Sequence, residues 1–298
     1  MITRRLFFKG TGLGLAAAAA APALSPSTAR AQQTPAATGG GGQDPFFVSV
    51  AGYTFVKHKL EPSLEMLKQV NVNYLCIKDF HLPLNSTEEQ IAAFHEKCKA
   101  SNVTGYGVGP IYMGSAEEAQ KAFDYAKRVG VKTVVGIPCE MKDNKRVSSR
   151  ALLEVINGLV KEYDMKYAIH NHGPDMPELF PSAVSCMELI SDLDKRIGLC
   201  LDIGHELRDG KDPVEAILKY GDRLHDLHTK DVSAATKAGR TVEMGRGIID
   251  LPGVARALRK VGYTGACSLE FEKDADSPLP GIAESIGYWR GVLNATRG

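Results

Sequence analysis

The residues that can do chemistry in this sequence are acids and histidines that directly follow short apolar runs. LCLDIGH (residues 199–205) places Asp202 and His205 after one such run, and DLHTKD (residues 226–231) places His228 and Lys230 at the end of another. Carboxylate oxygens and imidazole nitrogens bind divalent ions such as Mn²⁺, Mg²⁺, Co²⁺ and Zn²⁺, and both groups transfer protons. These stretches therefore predict a metal site, acid–base chemistry, or both.

The same pattern recurs along the chain. A single acid or histidine after an apolar run is most often a helix cap or a hydrogen-bonded polar group, whereas several at equivalent positions indicate one shared site. Oxygen and nitrogen ligands suffice for such a site, so no thiolate is needed. The further candidates are His81, Glu140, His170, His172, Glu270 and Glu272.

The elements that must position these residues are eight apolar runs that alternate with longer amphipathic segments. The runs lie at 46–50, 74–77, 104–108, 133–137, 167–169, 197–201, 224–227 and 266–271. Repeated βα units of this kind, in a chain of about 255 residues, predict an α/β fold, the (β/α)8 TIM barrel. An open doubly wound sheet is the alternative, but FVSVAGYTF at the first run lacks the G-x-G-x-x-G fingerprint.

In a barrel the carboxyl ends of the strands meet at one face, where the candidate residues would converge. Side chains alternate along a strand, so Glu270 and Glu272 point to the interior while their apolar neighbours pack against the helices. Glu270 lies deeper and is the better ligand candidate. In DLHTKD, the deeper of His228 and Lys230 is the expected ligand.

The first residues predict an export signal. TRRLFFK (residues 3–9) is a twin-arginine pattern, followed by an Ala-rich apolar run and the cleavage signal Ala29-Arg30-Ala31. We predict a twin-arginine signal peptide over residues 1–31, a flexible linker over 32–44, and a catalytic TIM barrel over 45–298. The protein is then expected in the periplasm or secreted. Residues 11–24 are too few for the ~20 apolar residues of a spanning helix, so no stable membrane association is expected.

The charge of the chain limits its partners, and the placement of the cysteines indicates their role. The formal net charge is +1 and no run of Lys and Arg is interleaved with aromatic residues, which disfavours nucleic acid as a partner. The six cysteines are scattered singly and mostly lie in apolar runs, as small buried hydrophobic residues do. A disulfide between Cys200 and Cys267 is the alternative.

The three stretches LCLDIGH, YGDRLHDLHTKD and EMGRGIIDLPGVARALRKVGYTGACSLEFE contain, in this order, D-x-x-H, H-x-K-D, G-x-G-x-x-D and E-x-E motifs. In this combination the chain resembles the sugar phosphate isomerase/epimerase family, xylose isomerase-like TIM barrels that include inosose dehydratase. The resemblance implies one divalent metal ion held by Glu, Asp, His and Glu, and Asp202, His228 and Glu270 match the last three. The epimerases commonly have Glu where this chain has His170. The inosose dehydratase branch makes Glu140 the expected first ligand, with His170 as the alternative.

The resemblance also implies a reaction. Isomerases and epimerases of this family remove a proton next to a carbonyl and pass through an enediolate that the metal stabilises. We expect a small-molecule carbohydrate as substrate. The residues expected to take part in catalysis are Glu140, His170, His172, Glu270 and Glu272, and those expected to bind substrate are His81, His205 and Lys230.

Three alternatives stay open. A dehydratase or lyase acting on a keto-sugar, an inositol derivative or a 3-keto-glycoside uses the same kind of intermediate, and a sugar-binding barrel needs no catalysis. An endonuclease IV-like enzyme needs further metal ligands that the motifs lack.

The glycine-rich EMGRGIID is a weak indication of phosphate binding, and export also favours an unphosphorylated substrate. Assembly into a homo-oligomer is compatible with the sequence.

Overall fold

The structure is a computed structural model that describes residues 44–297. The predicted signal peptide and residues 32–43 of the predicted linker lie outside the described residues. The strands are β1 (Phe47–Ala51), β2 (Tyr74–Ile77), β3 (Thr104–Met113), β4 (Thr133–Lys142), β5 (Lys145–Ser148), β6 (Lys166–His170), β7 (Ile197–Asp202), β8 (Leu224–Thr229), β9 (Asp231–Val232), β10 (Thr241–Val242) and β11 (Ala266–Leu269). The α-helices are α1 (Leu60–Gln69), α2 (Glu88–Ala100), α3 (Ala116–Val129), α4 (Arg150–Tyr163), α5 (Ala183–Ile190), α6 (Ile203–Arg208), α7 (Pro213–Tyr220), α8 (Leu251–Lys260) and α9 (Leu279–Ala295).

Eight of these strands form a closed parallel ring in the order β1, β2, β3, β4, β6, β7, β8, β11 and back to β1. The β3–β4 pairing, with Val108 opposite Val134, joins the two ends of the strand order and closes the ring. The first and last ring strands pair with Val50 opposite Leu269. The ring confirms the predicted TIM barrel, and it brings the carboxyl ends of all eight strands to one face.

The helices that cover the ring form for reasons visible in the sequence. In α2, Ile91, Phe94 and Cys98 recur at helical spacing and are all buried against the barrel. Thr87 and Gln90 form a capping box, in which each side chain accepts a hydrogen bond from the backbone N–H of the other. A cap of this kind stabilises a helix by about 1 kcal/mol.

The strand β4 runs further than the sequence analysis predicted, to Lys142 instead of residue 137. It turns back through Asp143 and Asn144, whose φ angles are 49° and 62°, and pairs antiparallel with β5. Asp and Asn accept this left-handed conformation more readily than most residues, and two of them in succession make a tight hairpin turn. Glu140 therefore pairs with Val147 in the hairpin, beyond the part of β4 that pairs with β6.

All six cysteines are buried and free, which confirms the prediction that they act as small apolar residues. Cys200 and Cys267 lie on β7 and β11, which β8 separates in the ring. Within residues 44–297, no helix combines the length and the apolar character that crossing a bilayer requires.

Candidate metal centre

Four potential metal ligands converge at the carboxyl ends of four neighbouring strands. His170 ends β6, Asp202 ends β7, His228 lies near the end of β8, and Glu270 directly follows β11. One ligand atom from each residue lies within 4.8 Å of all the others. All four are buried, with at most 5% of each residue exposed. Adjacent strands of a parallel ring end at the same level, which is why residues far apart in sequence meet here.

The distances within this group, which we call the four-ligand cluster, match the spacing of ligands around one ion. His170 Nε2 lies 3.1 Å from His228 Nδ1, 3.5 Å from Glu270 Oε2 and 3.8 Å from Asp202 Oδ2. His228 Nδ1 lies 3.3 Å from Glu270 Oε2. Ligands at about 2.0–2.1 Å from a tetrahedral ion are separated by about 3.3–3.4 Å. The cluster therefore fits a divalent ion held by two nitrogens and two oxygens.

The polar atoms in the cluster also favour a bound cation. Asp202 Oδ2 is buried and has no hydrogen-bond partner among the described residues. Carboxylate oxygens and the lone pairs of imidazole nitrogens repel one another when they converge in a buried space, and a cation between them removes that repulsion. The donor set of imidazole and carboxylate suits Zn²⁺, Mn²⁺ or Co²⁺ better than a soft ion that prefers thiolate.

Lys230 supplies one positive charge at the edge of this cluster. Its Nζ lies 3.0 Å from Asp202 Oδ2, without hydrogen-bond geometry, and it donates to Glu270 Oε2 at 3.1 Å and to Glu272 Oε2 at 2.6 Å. Burial lowers the pKa of Lys230, but the three carboxylates outweigh burial and raise it well above its usual value. Burial in turn raises the pKa of Glu270, and the charges of Lys230 and His228 outweigh it and hold that pKa well below the usual range.

Asp202 is held in place from two sides. Its Oδ1 accepts a hydrogen bond from the backbone N–H of His205 at 2.7 Å, so Asp202 also caps α6. Asn171, directly after β6, accepts from the backbone N–H of Asp202 at 2.7 Å and donates to Glu206 Oε2 at 3.3 Å. Glu206 in turn accepts from the backbone N–H of Ala183, the first residue of α5, at 2.8 Å. Sequence analysis missed Asn171 and Glu206, although Asn171 stands between the two histidines of HNH.

Three more predicted residues lie beside the cluster. The rings of His172 and His205 lie 5.1 and 5.9 Å from the ring of His170. His172 Nε2 is 2.9 Å from the hydroxyl of Tyr112, and burial with neighbouring imidazoles lowers the pKa of His172 to about 3. Burial also lowers the pKa of His205. His205, Glu270 and Glu272 offer ligand-type atoms within 4.8 Å of one another. Neutral imidazoles thus line one side of the site.

Two predicted residues are not brought to the cluster. Glu140 is exposed on the β4–β5 hairpin, and its carboxylate accepts a hydrogen bond from Ser149 Oγ at 3.3 Å. The geometry therefore favours His170, the alternative, over Glu140 as the first ligand. His81 is buried, and its Nε2 contacts Ser63 Oγ at 3.2 Å and the carbonyl of His58 at 3.1 Å. Its role in substrate binding stays a prediction.

The closed parallel ring and the cluster at its carboxyl face define a TIM barrel with a candidate metal centre. The model of the xylose isomerase-like TIM barrel family matches residues 64–292, and the chain belongs to this family.

Curated relatives match part of the chain. A rhizopine catabolism protein from Rhizobium meliloti is 27% identical over 142 residues, 43% of each chain. An inosose dehydratase from Lacticaseibacillus casei is 28% identical over 144 residues, 43% of this chain and 47% of the relative. The chain thus spans less than half the length of these relatives. An inosose dehydratase from Clostridium perfringens is 26% identical over 208 residues, 58% of this chain and 68% of the relative.

Solved structures share the fold. An IOLI protein solved with a bound zinc atom superposes with a TM-score of 0.66 at 18% identity, covering 84% of this chain and 99% of that one. A D-psicose 3-epimerase from Clostridium cellulolyticum H10, solved with D-tagatose, gives a TM-score of 0.67 at 16% identity, covering 83% and 99%. At these identities the likeness is one of fold.

Proposed function

We propose that the chain is a divalent-metal-dependent enzyme that removes a proton next to the carbonyl of an unphosphorylated sugar or cyclitol. The observation that carries this proposal is the four-ligand cluster of His170, Asp202, His228 and Glu270 at the carboxyl face of the barrel. A divalent ion bound there would act as a Lewis acid that polarises the substrate carbonyl. The zinc atom in the IOLI structure and the curated names of the relatives support the proposal.

The chain's own residues supply the remaining parts. Lys230 balances part of the charge of the carboxylates, and together with His228 it keeps Glu270 ionised. Glu272 is about one third exposed and lies toward the mouth of the site, where it accepts from Lys230. His172 lies beside His170 and against the hydroxyl of Tyr112. The site thus brings carboxylates from β7 and β11 together with imidazoles from β6, and both kinds of group can take or deliver a proton.

Two outcomes can follow removal of the proton, and we favour elimination over isomerisation or epimerisation. An epimerase needs two groups that exchange a proton with the same carbon from opposite faces. An elimination needs a base at one carbon and an acid at the leaving group on the next, so its two groups have different roles. The groups of the site differ in this sense, because His170 contributes an imidazole to the four-ligand cluster where the resemblance to the epimerases implies a second glutamate. Similarity to proteins named inosose dehydratase supports the same choice.

Proton exchange in deuterated water tests the proposal. The metal-loaded protein is incubated with an inosose, a 3-keto-glucoside and a set of ketohexoses, and products are analysed by mass spectrometry and NMR. Elimination predicts loss of water or of the aglycone, whereas epimerisation predicts an isomer of the substrate that carries deuterium. Absence of exchange and product with all of these substrates would count against the proposal.

Two aspartates near the two ends of one strand provide the test and its control. Asp202→Asn removes a carboxylate of the four-ligand cluster at the carboxyl end of β7 and should abolish turnover. Asp194 precedes the amino end of the same strand and pairs with Arg196 at 2.9 Å, far from the catalytic face. Asp194→Asn should therefore leave turnover unchanged, and equal loss in both variants would indicate a general effect on folding.

A further inference from the structure

A second polar group lies inside the barrel beneath the candidate metal centre. Asp226 precedes His228 by two residues on β8, so both side chains point to the interior and Asp226 lies one layer deeper. Asp226 is fully buried and accepts a hydrogen bond from the hydroxyl of Tyr106 at 3.0 and 3.1 Å. Tyr106 lies on β3, four strands from β8 in either direction around the ring. This hydrogen bond therefore crosses the barrel interior.

His228 belongs to the four-ligand cluster and lies between its other members and this deeper group. Its Nδ1 is the atom that faces His170 and Glu270, at 3.1 and 3.3 Å. Its Nε2, at the other edge of the ring, is buried and has no hydrogen-bond partner among the described residues. The carboxylate of Asp226, the thiol of Cys200 and an imidazole nitrogen of His228 lie within 4.8 Å of one another.

A histidine that binds an ion through one nitrogen must carry its proton on the other nitrogen, and an acceptor near that second nitrogen fixes the tautomer and the ring orientation. Asp226 is the carboxylate nearest in register to His228 on its own strand, and Tyr106 holds it from across the barrel. We propose that Asp226 is a positioning residue, which keeps the proton of His228 on Nε2 and so leaves Nδ1 free to bind the ion. This inference rests on the metal-binding part of the proposed function.

A purely structural role makes a different prediction. If Asp226 and Tyr106 only fill the interior of the barrel, their loss should lower stability without a specific effect on metal affinity. Ser49 offers a matched control, because its hydroxyl contacts that of Ser268, which lies 2.5 Å from the hydroxyl of Tyr106. Ser49 thus belongs to the same buried hydrogen-bond network but does not face His228.

The test measures Zn²⁺ affinity in the full chain by titration against a chelating indicator, after the metal has been stripped. Asp226→Asn keeps an oxygen that accepts from Tyr106 but removes the charge, and it should weaken Zn²⁺ binding by about 10–100-fold. Tyr106→Phe removes the hydrogen bond to Asp226 without changing its charge, and it should weaken Zn²⁺ binding less than Asp226→Asn does. Ser49→Ala should lower the melting temperature and leave the affinity unchanged. The absorption spectrum of bound Co²⁺ should shift in Asp226→Asn and stay constant in Ser49→Ala.

Four results would overturn the inference, the last of them applying if one variant does not fold. Equal Zn²⁺ affinity in wild type and Asp226→Asn would show that Asp226 does not act on His228, while the proposed function would stand. Two ions per chain, with the second lost in Cys200→Ala, would make Asp226 a ligand instead of a positioning residue. Failure of the wild-type chain to bind Zn²⁺ or Co²⁺ at all would remove the proposed function together with this inference. If Asp226→Asn does not fold, unchanged affinity in Tyr106→Phe overturns the inference.

Discussion

Replacing Lys230 by Met tests the electrostatics of the site most directly. Lys230 is 2% exposed, and its Nζ lies 3.0 Å from Asp202 and 3.1 Å from Glu270. At an effective dielectric constant of 20, each of these pairs is worth about 5 kcal/mol by Coulomb's law, and the cost of burying the ammonium offsets much of that. Removing one partner of a buried pair typically costs about 3–5 kcal/mol, since it leaves the other charge uncompensated.

In metal-free Lys230→Met protein we therefore expect a free energy of unfolding lower by about 3–5 kcal/mol at neutral pH. In a domain of this size, that corresponds to a fall in melting temperature of roughly 6–20 °C. Exposed Lys195, which lies 4.0 Å from Asp222, provides the control, and Lys195→Met should change stability by less than about 0.5 kcal/mol.

The loss of stability in Lys230→Met should depend on pH in a defined direction. Lys230 helps to hold the pKa of Glu270 well below 4.5 and that of Asp202 below 3.8 in the folded wild type. A carboxylate with a lowered pKa contributes stability that is present above its unfolded pKa and lost as the pH falls through its folded pKa. The difference between wild type and Lys230→Met should therefore be largest above pH 5 and should shrink as the pH falls below about 4.

The assay is thermal unfolding by calorimetry from pH 3 to 8, with and without Zn²⁺. Because the ammonium and a bound ion share the oxygens of Asp202 and Glu270, Zn²⁺ should stabilise Lys230→Met more than it stabilises wild type. The reasoning would be refuted if metal-free Lys230→Met were as stable as wild type at neutral pH. If the stability difference between wild type and Lys230→Met stayed constant down to pH 3, the carboxylates would not be its cause.

Two further predictions follow from single contacts and a third from the sequence. His170→Ala should remove bound Zn²⁺, measured by elemental analysis, while Glu140→Gln should retain it, and the reverse result would restore Glu140 as the ligand. Burial raises the pKa of Glu206 from 4.5 to about 7, so wild-type stability should fall by about 3 kcal/mol as the pH rises from 4.5 to above 7. Glu206→Gln should lack that slope in denaturant titrations. If residues 1–31 are a twin-arginine signal, Arg4→Lys combined with Arg5→Lys should block export in cell fractionation.

Three members of the four-ligand cluster could be predicted from the sequence because they stand at the ends of apolar runs and match the motifs that carry the resemblance. Asp202 and Glu270 each stand at the end of an apolar run, and His228 and Lys230 share one face of a strand. The closure of eight βα units into a ring then brings those ends together, whatever the exact strand boundaries. Alternation and chain length made these residues candidates, and the resemblance implied that they are three of the four ligands.

Glu140 was expected as a ligand because it follows the fourth apolar run and because the resemblance to inosose dehydratase implied it, but alternation does not decide where that strand ends. An apolar run predicts where a strand lies, but its end is set by what the next residues pair with, and β4 continues because β5 folds back on it. The signal was present as Asp143-Asn144, a two-residue turn suited to positive φ. The hydrogen bonds that link Asp202 to Asn171 and Asn171 to Glu206 were harder to predict, because they join residues from separate βα units.

The placement of His170 also gives the site a consistent charge balance. Among the carboxylates that contact Lys230, Asp202, Glu270 and Glu272 contribute three negative charges and Lys230 contributes one positive charge, so this group has a formal charge of −2 when both histidines are neutral. One divalent ion cancels that charge. A carboxylate at position 170 would leave −3, and a buried unpaired charge of that kind is costly unless a further cation or proton compensates it. Imidazole at this position therefore suits a site in which Lys230 also pairs with a further carboxylate, that of Glu272.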